Sequence, residues 1–199
     1  LMRLLGQEGM HPEGQFFPDT YTYQKGDTDI SILIRAHQRM RDVLEAEWSS
    51  RTEHNVFANS QEALILASII EKETAWEPDR MRVAAVFVNR MKKKMKLQTD
   101  PTVIYGIDDF DGNLRRKDLR TKTPYNTYII PGLPPTPICN PGLSSIKAAL
   151  QPITSNNYYF VARGDGTSEF SETLAQHNRA VTRFQKSGKV KDYRSTPSQ

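Results

Sequence analysis

A chain of 199 residues can close one good-sized hydrophobic core or two small lobes. Charged residues at 25% and hydrophobic ones at 37% exclude a wholly disordered chain, and no apolar run approaches the length needed to cross a bilayer. The net charge of +4 is modest, and the single cysteine, Cys139, excludes an intramolecular disulfide. No Cys/His spacing suggests a structural metal site, no cofactor motif is visible, and no secretory leader opens the chain.

Residues 13–26 carry Phe16, Phe17, Tyr21 and Tyr23 with Pro18 and Gly26 as punctuation, and the alternation over residues 20–24 predicts a short strand. Asp27 or Thr28 is placed to cap a helix running to about Trp48. Its apolar face is Ile30, Leu33, Ile34, His37, Met40, Leu44 and Trp48, with His37 read as a packed side chain rather than a ligand. After a polar linker, Ser60 is expected to cap a second helix and Pro78 to open a third. That third helix packs Val83, Val86, Phe87, Arg90 and Met91 and ends in Lys92, Lys93, Lys94 and Lys96. Counted with Arg90, this basic cluster reads more readily as a solvated helix end, whose carbonyls favour cations, than as a patch for anionic polymers. Residues 97–141 are rich in proline and glycine and read as ordered loops beside a site. A short helix over 144–150, strands over 158–162 and 169–171 around a Gly164-Asp-Gly166 turn, and a last helix over 172–186 complete the layout. The fold class is α+β, helix-rich with short antiparallel strands, and the polar tail from Ser187 is expected to be disordered.

The second helix carries the chemistry. Its run Ala63-Leu-Ile-Leu-Ala-Ser-Ile-Ile70 is almost unbroken hydrocarbon, and Glu71, Lys72, Glu73 and Thr74 follow it. Burial disfavours a charged carboxylate and raises its pKa, and a carboxyl group still protonated near neutral pH can donate a proton to a leaving group. Ala67 and Ser68 lie three and four residues before Glu71, on the same helix face, and are small enough to leave room for a substrate above the carboxyl. The alternative is that Glu71 begins the wet end of the helix or pairs with an arginine. Lys72 is expected to face solvent, and Glu73 is read as a supporting partner behind the site or a surface charge, with a structural role favoured.

Downstream come Val83-Ala-Ala-Val-Phe-Val-Asn-Arg90, Leu97-Gln-Thr-Asp-Pro-Thr-Val-Ile-Tyr-Gly106, Thr123-Pro-Tyr-Asn-Thr-Tyr128 and Gly132-Leu-Pro-Pro135. In this order after Ile-Glu-Lys-Glu-Thr, they closely resemble the endolytic murein transglycosylases of the MltG (YceG-like) family. Upstream, Glu13-Gly-Gln-Phe-Phe-Pro-Asp-Thr-Tyr21 fits the same pattern, as do Asn140-Pro-Gly142, Tyr159-Phe-Val-Ala162 and His177-Asn178, so the resemblance covers roughly residues 9–180. It implies a connecting lobe over residues 1–50, a YceG-like catalytic domain over 51–186 and a tail over 187–199. It also implies an upstream membrane anchor outside this chain, placing the catalytic domain on the periplasmic face of the bacterial inner membrane. The partners implied are peptidoglycan glycan strands and the synthases (penicillin-binding proteins) that make them, with no nucleic acid. Two departures stand out: Thr167-Ser168-Glu169 lacks the histidine that relatives often carry there, and Thr136 stands where glycine is common.

Breaking a glycosidic bond needs protonation of the leaving oxygen and support for an oxocarbenium-like centre. The resemblance implies that one glutamate, Glu71, donates that proton and then helps deprotonate the sugar's own C6 hydroxyl, which closes a 1,6-anhydro ring without water, metal or cofactor. Glu71→Gln is then expected to abolish turnover with little loss of stability. Substrate contacts are expected from Ser68, Gln98, Thr99, Asp100, Tyr125, Asn126 and Tyr128. Asp100, preceding Pro101, is expected to be extended, or to cap the turn into Thr102-Val-Ile-Tyr105; packing is as good a reading as stacking for Tyr125 and Tyr128. Asn89 is read as a buried polar group fixing a loop, and Glu13 and Asp19 as structural ties. The competing readings are a lysozyme-like hydrolase with Asp100 as second carboxylate, and a non-catalytic module binding glycan or nucleic acid.

Overall fold

The apolar run over residues 63–70 is buried on every side, with Leu64, Leu66, Ala67, Ile69 and Ile70 fully excluded from solvent. A helix that is hydrophobic around its circumference has to lie inside the molecule, and each fully buried Leu or Ile contributes about 1.5–3 kcal/mol. The computed structural model describes residues 1–53 and 55–186. Its α-helices are α1 (Asp29–Ser49), α2 (Ser60–Glu73), α3 (Glu77–Lys92), α4 (Asp100–Tyr105), α5 (Leu143–Leu150) and α6 (Leu174–Val181). Strands β1 (Tyr159–Ala162) and β2 (Ser168–Ser171) form an antiparallel pair, with Phe160 opposite Phe170 and Val161 opposite Glu169. The α+β reading is what the fold shows.

Helix α2 is the axle, and α5, α3 and α1 pack around it. Met40, Val43 and Leu44 of α1 share one core with Leu66, Ile69 and Ile70 of α2, Phe87 of α3 and Ile146 and Leu150 of α5. The hairpin leans on α3 through the edge-to-face contact of Phe160 with Phe87, ring centroids 5.8 Å apart. Near the amino terminus, Gly14 adopts φ +81°, and a β-carbon there would sit 2.5 Å from the Pro137 ring, so only glycine allows the segment to meet the loop after α4.

Several local expectations shift for physical reasons. Residues 20–24 form no ladder, because no strand among the described residues is there to pair with; the Tyr21 hydroxyl donates to the Phe17 carbonyl instead. Asn59 rather than Ser60 caps α2, accepting from the Glu62 N–H, while Glu62 accepts from the Ala58 N–H. Thr28 and Ser31 form a reciprocal capping box on α1, and Thr173 and Gln176 form another on α6. Asp100 is the first residue of α4 rather than extended, since Pro101 at the first turn of a helix sacrifices no internal hydrogen bond. The last helix begins at Leu174 and loosens into a π-turn over Thr182–Lys186; the tail expected from Ser187 lies outside the described residues. Lys92, Lys93, Lys94 and Lys96 are exposed at the end of α3, but Arg90 leaves the cluster and is buried.

Candidate active site

Glu71 and Glu73 are two residues apart on α2, so they project about 200° apart around its axis. Glu71 faces the junction of α3 and α5. Its carboxylate accepts from Arg80 Nη1 and Nη2 (3.3 and 3.4 Å), the Ser145 hydroxyl (2.7 Å) and the Gly142 N–H (3.1 Å). The side chain is 27% exposed and lies against charge and dipoles rather than hydrocarbon. The expected room above it is taken by the chain after α4. Ser68 is fully buried, donates to the Ile65 carbonyl and accepts from the Ile138 N–H, while its own carbonyl accepts from Cys139 Sγ. The small residues Ala67 and Ser68 therefore admit a backbone segment, and Ser68 offers nothing to a substrate. The arginine-pair alternative describes Glu71. Its replacement by Gln is expected to cost about 1–2 kcal/mol, read as a lowered unfolding midpoint, because Arg80 would keep its buried charge without a charged partner.

Glu73 faces the other way, into a cleft of about 370 Å³. The cleft is lined by Glu73, Arg90, Gln98, Asp100 and Tyr128, by Tyr159 of β1 and by His177 of α6. Ile69 and Ile70, wholly buried, precede Glu73 on the helix and help strip water from it. Burial pushes the Glu73 carboxyl up to about 7, with the Asp100 charge adding to the rise; the Thr99 hydrogen bond and the Arg90 charge oppose it. A carboxyl poised near neutrality inside a cleft can both give and take a proton.

Arg90, 7% exposed, ties the cleft wall together. It donates to the carbonyls of Tyr158 (2.7 Å), Lys96 (3.1 Å) and Leu97 (2.8 Å) and to Gln98 Oε1 (3.3 Å), and it faces the Tyr159 ring 5.1 Å from its centroid. This clamp holds Gln98 at φ +53°, a left-handed backbone that side chains other than glycine rarely adopt. Asn89, as expected, fixes a loop, donating to the carbonyls of Ser155 and Asn157.

The predicted contact residues divide. Gln98 and Asp100 are exposed at the cleft; the Asp100 carboxylate accepts from the Tyr128 hydroxyl (2.7 Å), and burial together with Asp100 raises the Tyr128 pKa. Thr99 is buried and bonds to Glu73, so it orients the carboxyl instead of meeting solvent. Asn126 is fully buried, donating to the Asp118 and Thr121 carbonyls and accepting from the Tyr128 N–H; it shapes the loop. Tyr125 packs edge-on to Tyr105 and pairs with the Thr136 hydroxyl, away from the cleft lining. Glu13 accepts from the Tyr105 hydroxyl at 3.5 Å, a tie between distant segments, whereas Asp19 bonds only to the next residue's N–H. Sequence reasoning passed over Glu73, Arg90, Tyr159 and His177 as site residues. The signal available for Glu73 was its opposite placement to Glu71 on the helix; for Arg90 it was an arginine among apolar neighbours.

Residues 3–183 match the profile of the YceG-like family. Over 175 residues the chain is 40% identical to the endolytic murein transglycosylase of Bacillus subtilis (strain 168), an alignment covering 87% of this chain and 48% of that protein. It is 31% identical over 175 residues to the endolytic murein transglycosylase of Streptococcus pneumoniae serotype 2 (strain D39), covering 85% and 31%. A solved YceG-like protein from Listeria monocytogenes superposes with a TM-score of 0.70 at 37% identity, covering 89% of this chain and 58% of that one. The chain spans about half the length, or less, of the curated relatives it matches.

Proposed function

Because this chain belongs to the YceG-like family, we propose that it is the catalytic part of an endolytic peptidoglycan lytic transglycosylase, with Glu73 rather than Glu71 as its acid. The observation that carries the assignment is the placement of Glu73: a half-buried carboxyl, raised to about 7 by desolvation, in the lining of a cleft that Glu71 does not reach. Glu71 is engaged by four donors elsewhere.

In this reading the Glu73 carboxyl protonates the bridging oxygen of a glycosidic bond as the C1–O bond breaks, leaving an oxocarbenium-like sugar and a Glu73 carboxylate. The carboxylate then takes the proton of the same sugar's C6 hydroxyl while O6 bonds to C1. The ring closes as a 1,6-anhydro sugar, Glu73 regains its proton, and no water is consumed. Thr99 orients the carboxyl, and the Arg90 clamp holds Gln98 at the rim for the glycan. A hydrolytic reading is kept alive by Asp100, whose charge acts on Glu73 in the same cleft. The bond between Asp100 and the Tyr128 hydroxyl works against it by occupying the second carboxylate.

The expected substrate is the nascent glycan strand, and cleavage within it terminates elongation beside the synthases on the outer face of the inner membrane. The membrane link belongs to parts of the longer protein; what supports it is family membership and the greater length of the relatives. The test is mass spectrometry of products from uncrosslinked, lipid-linked glycan, with wild type, Glu73→Gln and Glu71→Gln in parallel. Anhydro ends made by wild type and Glu71→Gln but not by Glu73→Gln are the expected result. Reducing ends would replace the transglycosylase by a hydrolase and bring Asp100 forward.

A further inference from the structure

His177 lines the same cleft as Glu73, stacked on Tyr159 with ring centroids 5.3 Å apart and planes 24° apart. Its two nitrogens are in different situations. Nδ1 is buried and has no hydrogen-bond partner among the described residues. Nε2 makes no hydrogen bond among the described residues and is not sealed from the cleft. An orphaned buried N–H is costlier than an orphaned acceptor, so the proton of the neutral ring is assigned to Nε2. Burial and the Arg90 charge both lower the His177 pKa, which keeps the ring neutral at physiological pH. The wall therefore presents an uncharged N–H donor with no acceptor of its own.

A second donor of the same kind stands nearby. Gln98 Oε1 is taken by Arg90, so its amide group faces the cleft as N–H only. Two uncharged donors and a buried guanidinium match a neutral acceptor oxygen. In a polymer of N-acetylated sugars the strongest such group is the acetamido carbonyl. Removal of the acetyl group leaves an ammonium, which has only donors to offer and meets the Arg90 charge in the cleft lining. Asp100, also in the lining, attracts an ammonium, so discrimination between the two sugars rests on the His177 and Gln98 donors.

We infer that His177 is a substrate-positioning residue whose Nε2–H binds an acetamido carbonyl and makes the cleft select N-acetylated over de-N-acetylated glycan. This rests on the reading of the cleft as the saccharide site. The probes are an N-acetylglucosamine tetramer and its fully de-N-acetylated counterpart, with affinity read by NMR titration of the 199-residue chain in the Glu73→Gln background, where no turnover intervenes. The acetylated tetramer is expected to bind more tightly. His177→Phe, which keeps the stack on Tyr159, is expected to weaken it about five- to tenfold and leave the de-N-acetylated tetramer unchanged. His177→Gln, which restores an N–H donor, is expected to recover part of the difference. In turnover of the polymer, His177→Phe is expected to raise KM and leave kcat within about twofold. Equal affinity for the two tetramers, no binding of either, or equal weakening of both by His177→Phe overturns the inference. Turnover retained by Glu73→Gln overturns the choice of acid alone and leaves the binding comparison to judge His177.

Discussion

Glu73→Gln is expected to lower turnover by about 10²–10⁴-fold, the usual contribution of a positioned general acid, while making the protein more stable at alkaline pH. Both effects come from the carboxyl being held at about 7 instead of its ordinary 4.5, chiefly by burial. The folded state then binds the proton more tightly than the unfolded chain does. Between about pH 4.5 and 7 the folded state carries more protons, so stability falls as pH rises through that window. It is highest below the unfolded pKa, and the full cost of burying the charge is present above about 7. Glutamine keeps the shape and an acceptor for Thr99 but carries no charge at any pH. The variant should therefore gain about 1–3 kcal/mol over wild type at pH 8 and almost nothing at pH 4. Wild-type turnover should decline above pH 7, as the acid form of Glu73 is titrated away. Denaturant titrations at the two pH values and a pH–rate profile read all three quantities. Glu71→Gln makes the opposite pattern: stability lost, turnover kept. If instead Glu71→Gln were inactive and Glu73→Gln active, the roles argued from the two helix faces would be reversed.

Arg90→Met is expected to cost about 3–5 kcal/mol, the range for stripping a buried charged donor from its partners. The guanidinium satisfies three main-chain carbonyls and the Gln98 side chain at once, at 2.7–3.3 Å. Methionine fills the volume but leaves those acceptors dry, and an unsatisfied buried acceptor costs about 1–3 kcal/mol. Arg90→Lys is expected to recover less than half of the loss, because one ammonium cannot span four acceptors spread across the fork of a guanidinium. Released from the clamp, Gln98 should relax from its left-handed backbone and the cleft should lose affinity for glycan even where the variant folds. A stability for Arg90→Met within about 1 kcal/mol of wild type, read by denaturant titration, would mean that water takes over the donors' work and that the clamp is dispensable.

Much of the fold was legible because its signals are local. The positions of α1, α2, α3, α5 and the hairpin follow from hydrophobic periodicity and from Pro78, Gly164 and Gly166, and they lie within a few residues of where those signals put them. The missing strand at residues 20–24 marks the limit. Alternation says that a segment is extended, but a ladder needs a neighbour that only the assembled chain supplies. Asp100 shows the same limit at a helix start, where the usual restriction before proline gave way to a helix whose first turn has no hydrogen bond for proline to break. Asn126, Thr99 and Ser68 were recognisable as polar residues in important segments, yet burial turned each from a ligand for the substrate into a tie within the protein.

The amino-acid sequence alone determined that α2 is a buried helix ending in two carboxylates, and that the segments around it belong to one family's ordered set. The proposed choice between the two carboxylates rests on tertiary structure. Helical geometry places Glu71 and Glu73 on opposite faces, but sequence does not say what each face meets. Arg80 and Ser145, nine and seventy-four residues from Glu71, meet one face and hold that carboxylate among donors. Thr99, Asp100 and the cleft meet the other, where Glu73 is held near neutrality and open to a ligand. The physical reason is that a carboxyl's chemistry is set by desolvation and neighbouring charge, and both are properties of the packed molecule rather than of the helix that carries it.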